Sequence, residues 1–151
     1  MSFSAITWAT PEMIATATLT VRTNGQGFTE ITREAARFLS QAEAGEGSLL
    51  LFMRHTSASL VIQENADPDV QTDLGTALAR VVPRDAGWIH ATEGPDDMPA
   101  HVKTMLTGVS LQVPVNAGVL ALGTWQGVFV AEHRDQPHRR EILLQFIGTR
   151  R

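Results

Sequence analysis

Residues Met13 to Arg22 read M-I-A-T-A-T-L-T-V-R, small or apolar positions alternating with threonine, which predicts a half-buried strand. Asn24-Gly25-Gln26-Gly27 turns the chain after it. Ile31, Ala35, Phe38, Leu39 and Ala42 recur at the spacing of one helical face, with Thr29 as the expected N-cap and Gly45 and Gly47 as the expected stop. Ser48 to Met53 is an apolar run of buried-strand length, and a second strand, Ser59 to Gln63, follows closely. Asp67-Pro68-Asp69 starts another helix, because Asp67 can accept from free amides and Pro68 is pre-set for the first helical position. Val70, Leu74, Leu78 and Val81 continue it.

Pro83 to Pro95 reads as a long loop around Trp88 and His90, after which Asp96-Asp97-Met98-Pro99 opens a shorter helix that Gly108 ends. From Ser110 onward strands dominate: Leu111 to Val115, Val119 to Leu122, Val128 to Glu132 and Glu141 to Ile147, separated by Gly, Pro or Asn. No repeat, low-complexity tract or linker divides the chain, so these elements predict one α+β domain over residues 1–151 with about three helices and mainly antiparallel sheets. No glycine fingerprint joins a strand to a helix, which argues against a doubly wound nucleotide fold.

Composition narrows the classes. With 151 residues, 43% apolar and 19% charged, the chain can bury a single core. The first twenty residues contain no Lys or Arg, so a cytoplasmic rather than secreted protein is expected. No apolar run approaches the ~20 residues of a spanning helix, and no membrane partner is expected. A net charge of −4 without a long basic run argues against nucleic acid. The absence of cysteine excludes thiolate chemistry and leaves any metal to His, Asp, Glu or water.

The chemistry-bearing residues lie where elements begin or end. His55 closes the apolar strand and leads into Thr56 and Ser57, His90 follows Trp88, and His133 sits between Glu132 and Arg134. A histidine beside a strand end commonly serves as a hydrogen-bonded structural residue, but these three together with His101 of the Asp97 helix point to convergence. Asp97 and His101, four apart on a helix, share a face and can share an ion or a hydrogen bond. Glu93, Asp96 and Asp97 repel one another unless a cation, an arginine or the helix N-terminus compensates, and Asp97 as a plain N-cap is the alternative. Glu64 follows a strand and has no evident structural task. Lys103, Arg134, Arg139 and Arg140 could hold a phosphate or diphosphate, and Gly123-Thr124-Trp125-Gln126-Gly127 forms a turn that presents an indole and an amide.

The blocks His55-Thr56-Ser57-Ala58-Ser59-Leu60, Glu64-Asn65-Ala66-Asp67-Pro68, Glu93 through Lys103, Gly123-Thr124-Trp125-Gln126-Gly127 and Glu132-His133-Arg134 resemble, in order, the signature blocks of the YjbQ family. The resemblance covers roughly residues 18–148. Gln136 to Arg140 falls outside these blocks, so His138 is not carried into the site.

The resemblance implies a homotrimeric α+β domain with a polar pocket near subunit contacts, and in some members a weak thiamine-phosphate synthase activity. In that chemistry a diphosphate leaves a pyrimidine methylene carbon, and a divalent cation, zinc or magnesium among others, with basic side chains would stabilise its oxygens. The expected metal ligands are His55, His101 and His133. Glu64, Asp97 and His90 are the expected acid or base groups, and Thr56, Ser57, Lys103, Gln126 and Arg134 the expected contacts to a small phosphorylated substrate. A non-catalytic metabolite- or metal-binding trimer is the alternative.

Overall fold

A computed structural model describes residues 4–151. Eleven elements follow the chain: β1 (Met13–Thr23), β2 (Gly27–Glu30), α1 (Thr32–Gln41), β3 (Ala44–Met53), β4 (Ala58–Glu64), α2 (Pro68–Val81), α3 (Asp97–Thr107), β5 (Ser110–Asn116), β6 (Val119–Leu120), β7 (Gln126–Glu132) and β8 (His138–Arg150). They form a five-stranded sheet, ordered β1-β8-β3-β5-β6, and a three-stranded sheet, ordered β2-β7-β4. Every pairing is antiparallel. The α+β class and the three helices among the described residues agree with the sequence pattern, and none of these helices is long and apolar enough to cross a membrane.

Strand parity places the core. Along β8, Arg140, Ile142, Leu144, Phe146 and Gly148 face inward, and Leu49, Leu51 and Met53 of β3 meet the apolar members of that row. Leu60 of β4 and Val128 and Val130 of β7 supply the opposing face, with Ala35 and Leu39 of α1 packed beside them. Burying such side chains contributes roughly 1.5–3 kcal/mol each.

Two local expectations need correction. Thr29 lies in β2, paired with Val130, rather than capping a helix, and α1 starts after Ile31 without a side-chain cap. Gly45 and Gly47 do not stop α1; the chain leaves that helix through Glu43, held at φ 52, and both glycines lie in β3 at a register shift. There β8 approaches so closely that a Cβ on Gly47 would stand 2.2 Å from the Ile147 carbonyl oxygen. Asp67 caps α2 as expected, accepting from the Asp69 amide at 2.9 Å, and the helix runs on through Val70, Leu74, Leu78 and Val81, with none of its residues buried and Val81 70% exposed.

The Gly47 contact fixes a first outcome. Gly47→Ala should destabilise the domain by about 1–3 kcal/mol, because the neighbour is backbone and cannot rotate away. Urea denaturation giving an unchanged midpoint would contradict this placement.

Candidate metal centre

The last residue of β7, Glu132, organises the site region. Its buried carboxylate accepts from Arg140 Nε at 2.7 Å and Nη2 at 2.5 Å, from Thr23 Oγ1 at 2.7 Å, and from the His133 and Arg134 amides at 3.0 Å each. Burial disfavours the charged carboxylate, but the Arg140 bonds outweigh it and hold the Glu132 pKa below the usual range. Arg140 also donates to Ser57 Oγ at 3.0 Å. Arg140 is therefore an internal counter-ion and not a phosphate ligand; its parity with Ile142, Leu144 and Phe146 is the sequence signal for that role.

From this anchor the chain delivers Arg134 to the N-terminus of α3. Its Nε donates to Asp96 Oδ2 at 2.9 Å, Nη1 to Asp97 Oδ1, and Nη2 to the Glu93 carbonyl at 2.7 Å. The acidic cluster is thus compensated by an arginine, and Asp96 and Asp97 are not simple caps; Asp96 holds the cap position without a capping bond. Arg134, an expected substrate contact, has each of its nitrogens engaged with the loop and the start of α3. Burial opposes ionisation of Asp97, yet the His90 hydrogen bond and the Arg134 charge keep its pKa low.

Asp97 is the meeting point of two imidazoles. His90 Nε2 lies 2.7 Å and His101 Nε2 3.3 Å from Asp97 Oδ2, and the rings stand 5.7 Å apart at 57°. His101 Nδ1 lies 3.0 Å from the Thr56 carbonyl, which can only accept, so Nδ1 carries a proton and neutral His101 turns an Nε2 lone pair toward the carboxylate. Two lone pairs this close call for a proton or a cation between them. The donor atoms of His90, Asp97 and His101 all fall within 4.8 Å of one another, two nitrogens and one oxygen in a set that suits a first-row ion.

The expected trio of His55, His101 and His133 is not one cluster. His55 Nδ1 turns to the Ser57 amide at 3.2 Å and hydroxyl at 3.0 Å, while His133 Nε2 bonds Ser59 Oγ at 2.7 Å inside the protein. Ser57 lies in the bend before β4 and belongs to the Arg140 network, whereas Ser59 lies within β4, paired with Ala131. His90, expected as an acid or base, joins His101 instead. Lys103 is also turned away, since two helical positions rotate about 200°. Glu64 and Gln126 pair across β4 and β7 at the end opposite Ala58 and Glu132, roughly 20 Å along the strand from the trio's end of the sheet. Gln126 Oε1 accepts from the Gly123 amide at 2.8 Å, closing its own turn.

Burial lowers the His133 pKa to about 4, with the Lys103 charge adding to the effect. The unfolded chain then binds this proton below about 6.5 and the folded chain only below about 4. Stability is therefore complete above the unfolded value and is lost as pH falls through that window, by roughly 3 kcal/mol at most. Denaturation measured from pH 7 to 4 in a chelating buffer should show this slope, and His133→Gln should flatten it. Equal slopes would remove His133 from the acid response.

The comparisons agree with this architecture. A family model described as UPF0047 protein YjbQ-like matches residues 17–149. A UPF0047 protein of Synechocystis sp. is 46% identical over 131 residues, covering 86% of this chain and 89% of the relative. YjbQ of Salmonella typhimurium is 43% identical over 132 residues, 87% of this chain and 96% of its own. Among solved structures, a YjbQ/UPF0047 protein of Clostridium acetobutylicum superposes with a TM-score of 0.80 at 33% identity, over 86% of this chain and 98% of that one. A conserved hypothetical protein of Thermus thermophilus gives 0.75 at 41%, over 84% and 97%. The chain belongs to the YjbQ-like UPF0047 family.

Proposed function

We propose that this protein is a metal-assisted enzyme acting on a small phosphorylated metabolite, with thiamine-phosphate synthesis as the candidate reaction and His90, Asp97 and His101 as the ion's ligands. The observation that carries the reading is the approach of two imidazole Nε2 atoms to one carboxylate oxygen, with the His101 tautomer set by Thr56. The nitrogen-rich donor set favours zinc or a similar first-row ion over magnesium, which prefers oxygen ligands. When bound, the ion would supply charge stabilisation for leaving phosphate oxygens.

The chain's own residues do the rest. Arg134 orients Asp97 and neutralises its surroundings, and a ligand held by such a partner is pre-organised. His55 precedes Thr56, whose carbonyl holds His101; among the described residues its Nε2 has no hydrogen-bond partner, and it is the phosphate contact on this rim. Glu64 and Gln126 can serve the same reaction only from another copy of the chain, whose strand end would have to meet the trio. A closed homotrimer is the assembly proposed, and Ile14, Ile147 and Phe52, exposed on the outer face of the five-stranded sheet, are apolar surface for such contacts.

Titration calorimetry with zinc should give one site per chain in the wild type. His101→Ala should weaken binding by roughly 100-fold or more, while its circular dichroism and melting stay close to wild type. Wild-type affinity in that variant would refute the assignment. Zinc-loaded protein supplied with hydroxymethylpyrimidine diphosphate and thiazole phosphate should release diphosphate; binding without turnover would favour the non-catalytic alternative. Sedimentation equilibrium should return three times the 16.4 kDa chain mass, and a monomer at micromolar concentration would exclude the ring.

A further inference from the structure

A second feature lies on the other side of α3 from the trio. Between α2 and the outer face of the three-stranded sheet is a cavity of about 540 Å³, in the size range of small-molecule sites. Phe28 and Ala131, paired across β2 and β7, form its floor, and Leu78 of α2 forms part of its roof. Lys103, Gln26 and His133 bring polar atoms to it, and Gln71, Thr72 and Thr76 of α2 and Glu132 of β7 line it as well.

Lys103 is 5% exposed, yet among the described residues no carboxylate lies within salt-bridge distance of it. Among the described residues its ammonium makes one hydrogen bond, to the neutral Gln26 Oε1 at 3.0 Å. Asp135, the acid that attracts it at longer range, is already held by Arg84 at 2.5 Å and by Gln26 Nε2 at 2.7 Å. A buried ammonium without an anion is costly, so the protein keeps this charge beside an apolar space for a reason that its own side chains do not supply. His133 adds a second polar atom: its Nε2 is used by Ser59, while Nδ1 has no hydrogen-bond partner among the described residues.

We infer that the cavity between α2 and the three-stranded sheet binds a small organic anion, its carboxylate or phosphate paired with Lys103 and its apolar body against Phe28, Leu78 and Ala131. The site is separate from the trio. His101 and Lys103 project from nearly opposite sides of α3, so occupation of one does not require the other.

The test uses phenyl phosphate, benzoate and inorganic phosphate as probes, followed by titration calorimetry on the full chain. At least one of the two aromatic anions should bind more tightly than inorganic phosphate, because only they fill the apolar part. Which of the two binds better identifies the head group. Lys103→Met should weaken that binding by roughly ten-fold or more. Gly75→Leu is the second variant: at Gly75, within α2, a Cβ meets nothing within 4 Å, so the larger side chain occupies the cavity without opposing the helix. It should abolish binding while melting stays at or above wild type. Zinc binding at the trio should be unchanged in both variants, which separates this site from the proposed metal centre. Failure of both aromatic probes to bind wild type at millimolar concentration, or retention of their affinity in Gly75→Leu, overturns the inference.

Discussion

The structure depends on one buried ion pair, between Glu132 at the end of β7 and Arg140 near the start of β8, with both side chains 1% exposed. The two strands belong to different sheets, so the pair is where the sheets are tied by charge rather than by backbone ladder. Thr23 brings in the end of β1 and Ser57 the turn before β4. Removing either partner would strand the other in the interior, at a cost of about 3–5 kcal/mol. The same carboxylate receives the next two backbone amides, which fixes the direction in which His133 and Arg134 leave the strand. One goes into the sheet's outer face and the other to the acids of α3.

This arrangement explains the order of the site's dependencies. Arg134 is aimed by Glu132, Asp97 is held by Arg134, and the two imidazoles gather on Asp97. The loop before α3 is closed onto the sheet by the same guanidinium, through the Glu93 carbonyl and Asp96. An acidic segment that would repel itself in isolation becomes an ordered ligand platform, because a single planar fork satisfies three acceptors at once.

Much of the architecture was legible in the sequence, since alternation and helical spacing report directly on which face is buried. β1, β3, β4, β8 and the starts of α2 and α3 follow from those periods within a few residues. Gly45 and Gly47 differ from the sequence pattern because a glycine that relieves close strand approach looks, in one dimension, like a helix stop. The site was legible in its residue types but not in its grouping. His55, His101 and His133 stand in similar motifs, yet local pleat and helix rotation send them to three sets of partners. His90 comes from a loop with no periodic pattern, and only the fold brings it to His101. Arg140 could have been placed from parity, by counting back from Phe146.

The lightly held α2 has a consequence for the timescales of the molecule. A helix with no buried side chain can open at far less free energy than the core strands it rests on, so its amides belong to the quickly exchanging part of the domain. The cavity beneath it then has one rigid wall, the sheet, and one wall whose position is set by an equilibrium. Whatever occupies that space would trade part of its contact energy for ordering the helix, and its presence would be read most sensitively in the exchange rates of residues 68–81 rather than in any displacement of the sheet.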